Sequence, residues 1–291
     1  MMGLRLKFNL VLLVVFALGL GGTGYISYDL LHKNAREEVL RNAGVMMEAA
    51  LSMRGYTVGQ VGPLLPHSEE KFHPQTVPAY AATEIMNSLR KKYSDYSYKE
   101  AALNPTNPRN RAVDWESDIV QAFRSNPDLP EVSGMRDTPT GMSLYLARPF
   151  QIKNKACLAC HTTANEAPPA MVKIYGPNNG FGWKHMEVIG AQIVSVPMSL
   201  PIQNANRAFY TFMASLGAVF VALFIILNLM MSLLIVRPIT KMSEAANDIS
   251  TGNMEIPEFE DKGSDEMSML ARSFNRMRRS LEKAIELIEK K

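Results

Sequence analysis

Five consecutive residues carry the clearest chemistry in the chain: Cys157-Leu158-Ala159-Cys160-His161. Two thiols three positions apart share one helical turn and reach the two vinyl groups of a single porphyrin, forming thioethers. The histidine that follows is then presented to the iron as proximal ligand. These are the only two cysteines, so no disulfide framework or four-sulfur zinc site competes for them. The other readings of this spacing are a redox-active dithiol and a pair of structural cysteines. The adjacent histidine and an exported setting favour a covalent haem c.

A macrocycle must be wrapped by apolar and aromatic side chains if it is to gain burial energy and a controlled potential. Trp115, Phe123, Tyr145, Phe150, Phe181 and Trp183 are the candidates for that wall. Arg109, Arg111 and Arg148 are candidates for the propionates, because a guanidinium pairs with a carboxylate in a bidentate fashion. Each also has an ordinary reading, as core or as an exposed charge.

The elements that position these residues follow from periodicity. Leu10 to Ile26 is an apolar run preceded by Arg5 and Lys7, which predicts a membrane helix with its amino end inside, retained rather than cleaved. From Leu31 to Arg54, Val39, Leu40, Ala43, Met46, Met47, Ala50 and Leu51 recur at helical spacing, and Gly55 and Gly62-Pro63 mark the end. Thr83 to Tyr93 and Trp115 to Phe123 read as further amphipathic helices, with the double Asn-Pro turn Asn104 to Asn110 between them. Ser143 to Ile152, Met171 to Tyr175 and Val188 to Val196 read as strands. Between the last two, Tyr175 to Trp183 is a glycine-rich turn beside an aromatic wall. It lacks the Lys-Ser/Thr of a phosphate loop.

Ala208 to Val236 is a second membrane-length run closed by Arg237 and Lys241, so both basic ends lie inside and the region between lies outside. Haem c is attached, as a class, on that outer face. After Arg237, Ile239, Met242, Ala246 and Ile249, then Met267, Leu270, Phe274, Met277, Leu281, Ala284 and Ile288 keep three-four spacing on either side of Gly252. Two such helices, doubled in a second subunit, make a four-helix bundle.

The expected architecture is α+β. It runs from a cytoplasmic amino terminus (1–9) and a first transmembrane helix (10–30) to an extracytoplasmic domain with a mainly antiparallel sheet (31–206). A second transmembrane helix (207–236) and a helical bundle (237–291) follow. A net charge of +3 with no Lys/Arg run interleaved with aromatics gives no reason to expect nucleic acid. The histidines are scattered and assemble no catalytic constellation, so no enzyme is expected.

Arg237-Pro238-Ile239, Gly252, Asp265-Glu266, Leu270, Ser273-Phe274-Asn275 and Met277 resemble a HAMP linker. Tyr98-Lys99-Glu100-Ala101, Asn104 to Pro108, Trp115-Glu116, Cys157 to His161, Gly180-Phe181-Gly182-Trp183 and Val196-Pro197 resemble a family of haem-c-binding PAS-like sensor domains. The resemblance implies a PAS-like sheet and haem-linked sensing. It also implies a second axial ligand from the amino-terminal helical part, which in a member of the family is a cysteine. No third cysteine exists here. Met53, Tyr56 and His73 lie in the matching stretch, with Met171, His185 and Met186 elsewhere; Met53 and His161 are taken as the metal-binding pair. A Met ligand raises the potential, a His lowers it, and an empty position admits a gas.

Together these predict a homodimeric haem-c transducer in a bacterial inner membrane, in contact with lipid. Its domain of 31–206 would be periplasmic, and a separately encoded cytoplasmic signalling partner would read the bundle. The alternative is an anchored cytochrome passing electrons to a redox partner.

Overall fold

A computed structural model describes residues 3–65, 71–260 and 263–289. It divides into two units, one formed by Ile26–Phe209 and the other by Met1–Tyr25 with Tyr210–Lys291.

The first helix, α1 (Leu4–Tyr56), is followed by a π-helical turn, Thr57–Val61, and the short α2 (Gly62–Leu64). The predicted stop at Gly55 is therefore displaced. Gly55 and Gly59 have helical backbone, and the chain leaves helix only at Leu65, with φ −130°. Then come α3 (Pro78–Arg90), β1 (Ser97–Ala102), α4 (Asp114–Ser125), β2 (Val132–Thr138) and β3 (Gly141–Gln151). The short α5 (Leu158–His161), α6 (Pro169–Tyr175) and β4 (Val188–Pro197) complete this unit.

Met171 to Tyr175, expected as a strand, is the helix α6. Its prolines at the start cost no hydrogen bond, and Gly176 at φ +81° closes it in a conformation that L side chains avoid. The strands β1 and β2 were not predicted. Lys99 and Glu100 interrupt the apolar character of the first, and Gly134, Arg136 and Asp137 mark the second as a sheet edge.

The sheet is antiparallel throughout in the order β1-β4-β3-β2. Strand β4 is internal to the sheet, which is why its sequence is mostly apolar, interrupted only by Gln192 and Ser195, and buried on both faces. Alternation along the strands sends Tyr98, Leu144, Leu146, Val194 and Val196 to one face. There they meet Val39, Ala43, Met47 and Ala50 of α1 and Ala82 and Met86 of α3. Ala101, Ala147, Ala191 and Ile193 take the other face, against Ile119, Val120 and Phe123 of α4. The two charges of β1 obey the same alternation. Glu100 turns towards Arg54 of α1, and Lys99 towards Glu116 of α4, at 2.6 Å.

The other unit holds the apolar amino-terminal part of α1 and, from Tyr210 onward, the helix α7 (Ser199–Met230). Both are long and apolar enough to cross a membrane. Phe16 and Phe220 stack at 4.7 Å. A second π-helical turn, Met231–Val236, joins α7 to α8 (Arg237–Ser250), where Pro238 lacks the N–H that an α-helical turn would use. Gly252, at φ +95°, ends α8, and α9 (Glu266–Glu289) follows. Asn275, 1% exposed, fastens the connector. Its Oδ1 accepts from the Phe259 N–H at 3.1 Å, and its Nδ2 donates to the Phe259 carbonyl at 2.9 Å. Ile288, the last of the predicted periodic positions, lies outside the described side chains.

Candidate functional site

Strand β3 delivers the Cys-x-x-Cys-His segment. A register shift between Phe150 and Gln151 bends the strand as it leaves the sheet, and bulges of this kind commonly re-aim a chain beside a site. Asn154 then accepts from the Ala156 N–H at 2.9 Å, starting the 3₁₀ turn Lys155–Cys157 that leads into α5.

The His161 ring is held in a defined tautomer. Its Nδ1 lies 2.7 Å from the Gly180 carbonyl, which can only accept, so Nδ1 carries the proton and Nε2 keeps its lone pair for a metal. Trp183 stacks on the ring at 3.8 Å and 14°, fixing its plane. The carbonyl is itself positioned by the double Asn-Pro turn. Asn104 Oδ1 accepts from the Gly180 N–H at 3.2 Å, and its Nδ2 donates to the Phe181 carbonyl at 3.3 Å. Gly180 adopts φ +81°, and a Cβ there would lie 2.0 Å from Thr106 Oγ1, so only glycine fits.

Cys157, Cys160 and His161 open into one cavity of about 440 Å³, walled by Phe72, Val77, Phe150, Ile152, Met171 and Ile189 among others. That is within the usual range for a small-molecule or cofactor site. Of the predicted residues, Arg109 and Trp183 also line it, and Phe150, one of the six aromatic candidates, does too. Phe181 packs beside Cys160, Phe72 and Met171 in the adjoining apolar cluster. Arg111 donates to Asn179 Oδ1 at 3.0 Å and is not among the lining residues.

Four further candidates do not line the cavity. Trp115 lies on the α4 side of the sheet, against Tyr145 and beneath the Arg136 guanidinium, with Phe123 nearby in the same cluster. Arg148 is engaged by Glu48 at 2.6 Å and Glu131 at 3.2 Å. Met53 packs against the α1 core rather than lining the cavity, and Tyr56, His73, His185 and Met186 do not line it either. Met171 does.

The structure adds residues that periodicity did not single out. Arg54 and Glu100 both line the cavity. They form a pair at 2.5 Å, with the Glu100 side chain 1% exposed, and the Tyr98 hydroxyl donates to the same carboxylate at 2.8 Å. Tyr80 and Tyr175 line the cavity with Arg109, whose guanidinium lies over the Tyr80 ring and pairs with Glu84. One signal for Glu100 was available: a lone acid on the inward phase of a strand that is otherwise apolar on that face.

Burial sets the titration of the site. It pushes the His161 imidazole below its ordinary value, with the Gly180 bond opposing, which keeps the ring neutral. It pushes both thiols up, with Arg54 opposing only in part at Cys157. Burial and then Glu100 raise Tyr98 far above the ordinary phenol, so it remains a donor. Burial opposes the charge of Arg54, and Glu100 more than offsets that, so the guanidinium is held above its ordinary value.

An antiparallel sheet whose bent strand end feeds two thiols and an imidazole into an apolar cavity defines a domain built to hold a cofactor. The Tll0287-like family model matches residues 32–197, more than half of the chain, and the chain belongs to that family. A HAMP domain model matches residues 230–283. Among solved structures, the crystal structure of the cyanobacterial heme-protein Tll0287 aligns at 16% identity with a TM-score of 0.44, covering 55% of this chain and 95% of that one. No curated protein matches the chain.

Proposed function

We propose that the chain is a membrane-anchored haem-c signal transducer. The porphyrin is joined by thioethers to Cys157 and Cys160, with His161 as proximal ligand. The observation that carries this reading is the convergence of both thiols and an imidazole with a free Nε2 on one apolar cavity. The Tll0287-like domain and the heme-protein named above support the same cofactor.

The residues present fit the group. The stacked Trp183 and the Gly180 carbonyl hold the ring of His161, while Phe72, Phe150, Ile152 and Ile189 exclude water. Arg109, with the Tyr80 and Tyr175 hydroxyls beside it, offers the donors that propionates need. When bound, haem supplies a one-electron couple and a coordination position whose occupancy can change.

The domain is read as PAS-like on the strength of its antiparallel sheet with helices on both faces. It is placed in the periplasm because Arg5, Lys7, Arg237 and Lys241 flank the two apolar helices on the inner side. A homodimer is supported by the exposed Leu270, Met277 and Leu281 of α9, and a HAMP domain implies a cytoplasmic partner that reads it. Redox state or a diatomic ligand is the input.

The test is peroxidase staining of the denatured polypeptide after expression with cytochrome-maturation machinery. Wild type stains, and Cys157→Ser/Cys160→Ser does not. A blank wild type sinks the proposal. Absorbance spectra with carbon monoxide then identify the input: a shift marks a free position and a gas, and no shift marks redox state. Rapid electron exchange with a second cytochrome, without any change in the bundle, assigns the anchored carrier instead.

A further inference from the structure

Covalent attachment explains the two thiols and the imidazole, but it does not explain why the cavity wall contains an ion pair whose carboxylate is buried. Arg54 Nη1 donates to both Glu100 oxygens, at 2.6 and 2.5 Å. The guanidinium lies 4.6 Å over the Phe150 ring, which meets Trp183 edge-on at 6.5 Å, and Trp183 stacks on His161. All five residues except Phe150 and Trp183 are polar or charged, and all five line the same cavity. A pair of this kind is seldom retained for stability alone, since apolar residues of similar volume do as well or better. What it does supply is charge where screening by water is weak.

An iron held at His161 gains one positive charge when it is oxidised. A guanidinium in the wall opposes that charge, and a carboxylate favours it. We propose that the Arg54–Glu100 pair sets the reduction potential of the haem iron, with Arg54 raising it and Glu100 lowering it. The inference rests on the haem reading above. The couple is a single electron passed to ferric iron from an external reductant, with no bond made or broken in the protein. Arg54 rides on α1 and Glu100 on β1, so the coupling is reciprocal: a change in iron charge biases the pair, and through Arg54 it biases α1.

Potentiometric titration of the full-length, haem-loaded protein in detergent tests this, with haem absorbance as the readout and soluble mediators as electron source. Arg54→Met leaves Glu100 uncompensated and lowers the midpoint. Glu100→Gln leaves Arg54 uncompensated and raises it. Each shift is expected to reach about tenfold in the ferrous-to-ferric equilibrium, or ~59 mV for one electron. The double variant returns towards wild type. Two singles moving in the same direction, which a loosened and wetter cavity would produce, overturn the proposal, as does an unmoved midpoint. Should Arg54→Met fail to fold, Glu100→Gln keeps the shape of the acid and decides alone: a rise supports the pair, and no change or a fall overturns it. Haem-free wild-type protein would overturn the cofactor reading itself, whereas haem-loaded protein with unmoved potentials overturns only the role of the pair.

Discussion

The two units of the chain are specified in different ways. In Ile26–Phe209, the side chains that matter are enclosed, and their partners lie within the unit: α1 packs on the sheet through Met47 and Ala50, and His161 is fixed by Gly180 and Trp183. In the unit that contains α8 and α9, Met242 and Ile249 of α8 are buried, but the periodic apolar positions of α9 are half-buried or exposed. Leu270 is 46% exposed and Met277 48%, while Asn275 between them is enclosed and bonded through both ends of its amide. The first unit completes its own core. The second leaves an exposed apolar seam along α9.

The largest expected effect tests the self-sufficiency of the first unit. Met47 is fully buried in the α1 seam, so Met47→Ala should cost about 2–5 kcal/mol by denaturant unfolding monitored at Trp115 and Trp183. If unfolding of that unit is unchanged, the seam is not what holds it. Gly180→Ala should cost about 1–3 kcal/mol through strain at positive φ and displacement of Thr106. It should also loosen His161, read as a changed iron spin state in the haem-loaded protein.

In the second unit, Asn275→Ala removes both bonds to Phe259 and should cost about 1–3 kcal/mol, read as faster amide exchange in the connector and not in the sheet. Leu270→Ala, at an exposed position, should change the stability of a single chain by less than about 0.5 kcal/mol. It should nevertheless weaken disulfide crosslinking between copies carrying a cysteine introduced on α9. Undiminished crosslinking would remove the seam from the contrast.

The smallest effect is one of pH and concerns polypeptide expressed without haem. Folding depresses the His161 pKa below its unfolded value, so in that window the unfolded chain binds more protons and stability rises with pH. Stability is complete above the unfolded value near 6.5 and declines as pH falls through the window towards the folded value. His161→Gln should flatten that slope in denaturant titrations, and an unaltered slope would assign the effect to another group.

How much of this was legible in the sequence differs by residue type. The Cys-x-x-Cys-His segment, the two apolar runs and the buried strand β4 each carry a local signal strong enough to read without tertiary knowledge. Helix α6 was misread because Met171 to Tyr175 is apolar and short, and the decisive information lay in its flanking prolines and in Gly176. Strand β1 carries no apolar signal because its charges face partners distant in sequence, Glu100 with Arg54 and Lys99 with Glu116, and β2 carries none because it lies at the sheet edge with Gly134, Arg136 and Asp137. Arg148 and Trp115 have the right chemistry for a haem wall, yet nothing local says that Trp115 lies on the α4 side of the sheet or that Arg148, on the α1 side, is taken up by Glu48 and Glu131. Both follow from tertiary packing: alternation along β3 sends Arg148 to the face where α1 presents Glu48.

Both helices that carry the apolar runs contain a π-helical turn at a point of use. One is Thr57–Val61, whose Val58 lines the cavity, and the other is Met231–Val236, just ahead of Pro238. Such a turn holds one residue more than an α-turn needs. Drawing that residue into regular winding lengthens the rod by about 1.5 Å and turns everything beyond it by roughly 100°, with no break in the backbone ladder. Each rod thus keeps a spare link in its winding, and the step this permits is discrete in both distance and angle.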